Sequence, residues 1–255
     1  MNLNLNRQVV DSYHSPSQKA RVSTEDWVGS YIFCPSCGSN VKSYPHNKPV
    51  ADFYCPKCTE DFELKSKKDC FGKKIVDGAY RTMMERLQDD TNPNLFLLSY
   101  QLTKYEVTNF FVIPKHFFVS QIIEKRKPLS STARRAGWTG CNILMNSVPL
   151  SGRIFYIRDK KIENKKSVLD SWKKTLFLKE SQTDKLKGWI LDTMKCIDRL
   201  NKNEFSLQEM YGCEKNLKLK YPNNKHIKDK IRQQLQFLRN KCYLEFRGKG
   251  KYKLI

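Results

Sequence analysis

Between Cys34 and Lys68 the chain interleaves two patterns of residues that could do chemistry. The first is Cys34-x2-Cys37 followed, after seventeen residues, by Cys55-x2-Cys58. Each C-x2-C knuckle points two thiolates into one corner of a tetrahedron, and two knuckles close a structural Zn²⁺ site with no open position. Pro35, Gly38 and Pro56 supply the turn residues that such knuckles need. The alternative, disulfides or buried free thiols in a secreted chain, fits poorly because nothing in the sequence reads as secreted. His46 lies in the intervening loop. Four cysteines already fill the site, so His46 is expected to stay outside it.

The second pattern is Pro49-Val50-Ala51-Asp52, then Glu63-Leu64-Lys65, with ten residues between the acids. Residues 50–54 and 62–65 both alternate like strands. Residues two apart on a strand share a face, so Glu63 and Lys65 project together while Phe62 and Leu64 face the core. The Cys55–Cys58 knuckle then becomes a metal-stapled hairpin turn that sets Asp52 beside Glu63 and Lys65. Two carboxylates at one end of a sheet form a Mg²⁺ site, with the Leu64 carbonyl a candidate further ligand. A neighbouring lysine can position or activate the attacking water and offset charge on a phosphorane. An isolated Glu-x-Lys is ordinarily a solvated face; the preceding Pro-x-x-Asp and the apolar flanks favour catalysis.

Elements able to hold such a site flank it. Residues 1–30 read as helical: Leu3, Leu5, Val9 and Val10 make a weak stripe that stops near Ser15-Pro16. Ser23-Thr24-Glu25-Asp26 then opens a short helix with a hydroxyl N-cap. Glu25 is expected to complement the helix dipole, an approach to the metal being the other reading. Residues 72–74 form a loop suited to following a DNA backbone. Residues 77–90 read as a helix facing the sheet through Tyr80, Met83, Met84 and Leu87. Residues 95–100 and 109–113 are continuous apolar runs of strands buried on both faces, and 153–157 adds another. The expected core is therefore α/β, a mixed sheet with helices on its faces, finished by a polar stretch over 159–170.

With 47 Lys and Arg against 26 Asp and Glu, the net charge of +21 points to a polyanionic partner. No apolar run approaches the roughly 18 residues of a membrane span, and the first residues lack the apolar core of a leader. A cytoplasmic address and no membrane partner are expected. Cys70, Cys141, Cys196, Cys213 and Cys242 then read as ordinary reduced thiols. In the segment 125–143, Arg134 and Arg135 suit phosphates or guanine edges, and Trp138 on a glycine-hinged loop could wedge between bases. Trp138 as a core cap with solvated arginines is the competing reading; DNA contact is preferred in so basic a chain.

Residues 178–184 are a polar boundary, beyond which residues 183–255 hold 18 Lys and Arg against 8 Asp and Glu. Leu186, Ile190, Met194, Ile197 and Leu200 mark one helix. Phe205, Leu207, Met210 and Leu217 mark a second, begun after Ser206, and Ile227, Ile231, Leu235 and Leu238 a third. Two short strands joined by a glycine-rich basic turn follow. That is the winged-helix order, with the third helix as reader and the turn, bearing Lys249 and Lys251, as wing. Lys228, Arg232, Gln233, Gln236 and Arg239 lie on the reader's polar side, where Gln suits adenine edges and Arg guanine. Trp189, slightly off its stripe, either packs or faces the DNA beside Arg232.

SQKARVSTEDWV, PVADFYC, FELKSKK, DGAYRTMMERL, LSSTARRAGWTGCNI and HIKDKIRQQLQFLR resemble the DpnI-like family of methyl-directed Type II restriction endonucleases, over essentially the whole chain. The resemblance implies a PD-(D/E)xK restriction-endonuclease-like catalytic domain with an inserted zinc site over 1–180, and a winged-helix domain over 181–255. It further implies a bacterial, monomeric enzyme that hydrolyses both strands of double-stranded DNA at N6-adenine-methylated GATC, leaving blunt ends. Asp52, Glu63 and Lys65 are its expected catalytic set, Mg²⁺ its catalytic ion and Zn²⁺ its structural one. A non-catalytic methyl-DNA reader built on a dead nuclease core, or a repair-type nuclease with another target, are the alternatives.

Overall fold

Strict alternation of Asn and Leu over residues 2–6 lays the N-terminus down as an extended edge segment, not as the expected helix. Leu5 N–H donates to the Tyr105 carbonyl and Val107 N–H to the Leu3 carbonyl, each at 2.8 Å. Only Gln8–Val10 coils there, as a single 3-10 turn. Helix α1 (Pro16–Tyr31) begins on proline, whose missing N–H has no intrahelical partner to lose in a first turn. Ser23 and Thr24, expected as caps, are therefore interior, and the Thr24 hydroxyl donates to the Ala20 carbonyl at 2.7 Å. Glu25 likewise sits in mid-helix, 3.8 Å from Arg21, and not in the first turn where it would meet the dipole. The structure is a computed structural model and describes residues 1–45, 51–180 and 183–255. His46, Pro49 and Val50 lie outside the described residues.

The chain continues through β1 (Lys42–Ser43), β2 (Phe53–Tyr54), β3 (Asp61–Lys68), β4 (Lys74–Ala79), α2 (Tyr80–Gln88), β5 (Asn94–Gln101) and β6 (Glu106–Ile113). It then forms β7 (Ile123–Lys125), β8 (Gly140–Leu144), β9 (Ile154–Arg158), β10 (Lys161–Ile162) and α3 (Lys165–Lys173). Among the described residues these strands make a large mixed sheet in the order β1-β2-β3-β5-β6-β9-β10. Within it β3 and β5 run parallel, while β2–β3 and β5–β6 are antiparallel. The apolar runs become its buried centre: Phe96, Leu97, Leu98, Phe110, Val112 and Ile113 have no exposed surface. Phe62 stacks on Phe96 at 4.3 Å between ring centroids, and Phe96 meets Phe110 at 5.1 Å. Each such side chain contributes about 1.5–3 kcal/mol by burial, so β3 rests on a rigid platform.

Three expectations are corrected in this region. Residues 74–79 are strand, because Ile75 and Val76 favour extended backbone, so the helix starts at Tyr80 and not at Asp77. Met83, Met84 and Leu87, the face expected against the sheet, are only half-buried. The polar stretch after 159 contains α3, capped by the Asn164 side chain, which accepts the Lys166 N–H at 2.8 Å. Val168 and Trp172, four apart, are enough to bury one face of it. Strand β4 pairs with β8, and β8 with β7, in a second sheet.

The chain divides into two compact units, residues 1–145 with 151–175, and residues 146–150 with 176–255. The second unit holds α4 (Asp184–Leu200), β11 (Glu204–Ser206), α5 (Leu207–Tyr211), α6 (Glu214–Lys220), α7 (Ile227–Asn240), β12 (Leu244–Gly248) and β13 (Lys251–Leu254). Thr183 caps α4 by accepting the Leu186 N–H at 3.2 Å. The expected second helix is split: Phe205 lies in β11, opposite Tyr252 of β13, and Ser206 opens α5 through a capping box with Glu209. Helix α7 buries Ile227, Ile231, Leu235 and Leu238, the expected stripe. Strands β12 and β13 form the wing, with β11 as third strand and Gly248 and Gly250 at φ +83° and +71° in its turn. No helix among the described residues is long and apolar enough to cross a membrane.

Candidate functional site

Two knuckles of like design bracket the site. Cys34 N–H donates to the Ser39 carbonyl and Gly38 N–H to the Cys34 carbonyl, both at 2.8 Å. Cys55 N–H donates to the Glu60 carbonyl at 2.9 Å, and Thr59 N–H to the Cys55 carbonyl at 3.0 Å. The residue after each second cysteine is left-handed: Gly38 at φ +78° without strain, Thr59 at +58° against its β-branch. All four sulfurs lie within 4.8 Å of one another, Cys34 and Cys58 at 3.4 Å, Cys37 and Cys55 at 3.3 Å. Tetrahedral Zn–S bonds of about 2.3 Å would set sulfurs roughly 3.8 Å apart, so the cluster is of a size to hold a metal such as zinc. Burial pushes the Cys34 thiol up. At Cys37 burial is outweighed by donors from Ser39 and the neighbouring thiols, which bring it down to about 7.

The second knuckle is the turn between β2 and β3, which pair Phe53 with Phe62 and Tyr54 with Asp61. Asp52 is thereby tied to β3 twice. Its N–H donates to the Phe62 carbonyl at 2.9 Å, and its carboxylate accepts the Leu64 N–H at 2.7 Å. Lys65 projects on the same face as Glu63, its ammonium 2.5 Å from that carboxylate and 2.9 Å from Asp77 of β4. Asp52, Glu63, Lys65 and Asp77 line one pocket of about 260 Å³ with Thr82 and Arg86. A larger cavity of about 580 Å³ also touches Asp52 and is lined by Arg21, Glu25, Lys42 and Tyr44. The smaller one gathers the acids around the lysine.

Charge is tightly balanced there. Burial pushes the Glu63 carboxyl up, Lys65 pulls it down, and Asp77 and Asp52 push it up again. Burial alone would favour a neutral Lys65, but Glu63 and Asp77 prevail and hold the ammonium well above the usual lysine range. Asp77 is the residue that sequence reasoning missed. It belongs to another sheet, and no fixed spacing links it to Glu63. The readable signal was Asp-Gly after a β-branched pair, which marks a strand with a bulge more readily than a helix start.

The expected DNA-contacting residues fall into three settings. Arg134 and Arg135 are exposed between β7 and β8. Trp138 is half-buried and not a free wedge: its ring covers Gly140, where a Cβ would come within 2.9 Å, and Arg135 lies 5.1 Å over it. Lys228, Arg232, Gln233, Gln236 and Arg239 are exposed along α7, as are Lys249 and Lys251 in the wing. Arg232 donates to the Tyr211 hydroxyl and lies 3.8 Å from Asp229. Trp189 is buried, stacked on Tyr221 at 3.7 Å, and is not open beside Arg232. Packing accounts for it.

The class so defined is a mixed α/β unit with a four-cysteine cluster and an acid–lysine pocket, followed by a winged helix-turn-helix unit. The model of the DpnI, or Dam-replacing, family matches residues 1–181, and that of the Dam-replacing HTH domain matches residues 185–254. The chain belongs to the DpnI family.

Proposed function

We propose that the protein is a methylation-dependent Type II restriction endonuclease that hydrolyses both strands of double-stranded DNA at N6-adenine-methylated GATC. Residues 1–180 are its PD-(D/E)xK catalytic domain and residues 181–255 its winged-helix DNA reader. The observation that carries this reading is the convergence of Asp52, Glu63 and Lys65 on one pocket, with Asp52 locked to the Leu64 N–H. Family membership supports it.

The oxygen donors of Asp52 and Glu63 suit Mg²⁺. On a strand the N–H and carbonyl of one residue leave by the same edge, so the Leu64 carbonyl is available on the side of Asp52. When bound, Mg²⁺ polarises the scissile phosphate and makes a bound water more acidic. Lys65 orients the attacking water and offsets charge on the phosphorane. Cys34, Cys37, Cys55 and Cys58 would hold a structural Zn²⁺, and the knuckle so closed would keep Asp52 in register with β3.

Recognition is assigned to Arg232, Gln233 and Gln236 on α7, with Lys228, Lys249 and Lys251 on phosphates. Arg134, Arg135 and Trp138 form a second contact surface on the catalytic domain. The N6-methyl group projects into the major groove, and one methyl in a fitted pocket discriminates by about 1–3 kcal/mol. Palindromic GATC carries two, so reading both multiplies the ratio. A monomer tethered through the winged helix can then cut one strand and the other in turn.

Two plasmids of one sequence, adenine-methylated at GATC and unmethylated, are incubated with the protein and Mg²⁺. Cutting of the methylated plasmid alone is expected. Cutting of both would keep the nuclease and discard its specificity. A shifted but uncut methylated plasmid would leave a non-catalytic reader.

A further inference from the structure

Asp77 is the one acid of the pocket that the β2–β3 hairpin does not supply. It stands opposite Cys141 of β8, where the β4–β8 register shifts between Asp77 and Ala79. Such a bulge re-aims a side chain, and next to an active site that is its common use. This bulge is held in place: the Cys141 thiol donates to the Gly78 carbonyl at 3.5 Å. The Asp77 side chain is only 6 % exposed, against 24 % for Glu63 and 27 % for Lys65. A carboxylate so buried is costly unless paired, and the cation it faces at 2.9 Å is Lys65.

Lys65 therefore has two anionic partners and one ammonium. On the nuclease reading above, Glu63 must turn its oxygens to a divalent cation and loosen its ion pair with Lys65. A lysine with Glu63 as sole partner would then be set free on its four-carbon stem. We propose that Asp77 is a positioning residue, which keeps the Lys65 ammonium in the pocket while Glu63 serves the metal ion. The division is between one acid that changes partner and one that does not. Three carboxylates and one lysine are needed for it, and the bulged strand β4 provides the third.

The test uses the full chain as wild type, Asp77→Asn, Asp77→Ser, Asp77→Glu and Lys65→Ala, each checked for folding by thermal melting. In Mg²⁺-saturated protein without DNA, nuclear magnetic resonance of the lysine ammonium groups identifies the Lys65 signal by its loss in Lys65→Ala. That signal is expected to broaden away in Asp77→Asn and Asp77→Ser, whichever folds, and to persist in Asp77→Glu. Single-turnover cleavage of a methylated duplex is expected to slow about 10–100-fold in the same variants, with duplex affinity and half-saturating Mg²⁺ unchanged. Asp77→Glu recovers most of the rate. Wild-type rate and ammonium signal in Asp77→Asn would overturn the proposal, as would a defect repaired by more Mg²⁺, which would make Asp77 a metal ligand. A wild type that cuts no DNA sinks the nuclease reading; a wild type that cuts beside an unimpaired Asp77→Asn sinks this one alone.

Discussion

Two regions of this protein, the acid–lysine pocket of the first unit and the outer face of α7 with the wing in the second, treat charge in opposite ways. In the first, a handful of ionic groups are locked to one another and to backbone: Lys65 between Glu63 and Asp77, Asp52 on the Leu64 N–H. In the second, 18 basic residues face 8 acidic ones over 183–255, and Lys228, Arg232, Arg239, Lys249 and Lys251 along α7 and the wing are exposed. Partly buried charges act strongly at short range, whereas exposed pairs are worth little and are screened by salt. Held charges suit chemistry at one point; solvated cations suit a polyanion whose counterions they displace. Substitutions in the acid–lysine pocket should therefore change rate, and those on the exposed face of α7 and the wing should change affinity.

The largest break in that comparison comes from the cysteine cluster. Cys34→Ser, or removal of bound metal by a chelator, is expected to unfold much of the first unit, because ligand binding and folding are one event in such sites. Melting followed by intrinsic fluorescence should show the first unit's transition lost or shifted far down. The transition of the second unit should stay in place. A cluster that binds no Zn²⁺ by elemental analysis, in a chain that still folds, would contradict the structural role.

A smaller effect sharpens the other side. Lys249→Ala and Lys251→Ala should weaken binding evenly for methylated and unmethylated DNA. Each should reduce the slope of log affinity against log salt by about 1. A loss confined to methylated DNA would assign these lysines to base reading and not to phosphate contact.

The smallest effect is on stability alone. Glu209 is held down to about 2, first by Lys202 and then by the Ser206 N–H and hydroxyl, against an ordinary value of 4.5. A depressed folded value means that the unfolded chain binds the proton more readily. The stabilisation from Glu209 is therefore complete above pH 4.5 and fades as pH falls toward about 2. Ser206→Ala should cost the second unit about 1 kcal/mol at neutral pH. Urea unfolding across the acid range should show that gap narrowing as Glu209 protonates.

What the sequence disclosed follows the range of the forces involved. The knuckles, the β2–β3 hairpin between Asp52 and Glu63, the buried runs of β5 and β6 and the stripe of α7 are local patterns, and all were legible. The N-terminus is misleading because Leu3 and Leu5, two apart as on a strand, combine with Val9 and Val10 into an apparent helical stripe. Phe205 misled because its partner is Tyr252, almost fifty residues on in β13. Asp77 was hidden for the same reason: it reaches Lys65 through a second sheet, and no spacing within the chain encodes that meeting. Trp189 looked off its stripe because Tyr221, the ring that covers it, comes from beyond α6.

The most direct test of the division between held and solvated charge is made on one labelled, methylated duplex with full-length Lys65→Ala protein. Binding with wild-type affinity is expected, together with a fall in single-turnover cleavage of roughly 10²–10⁴-fold. Cleavage at the wild-type rate, or affinity lost in step with cleavage, would contradict it.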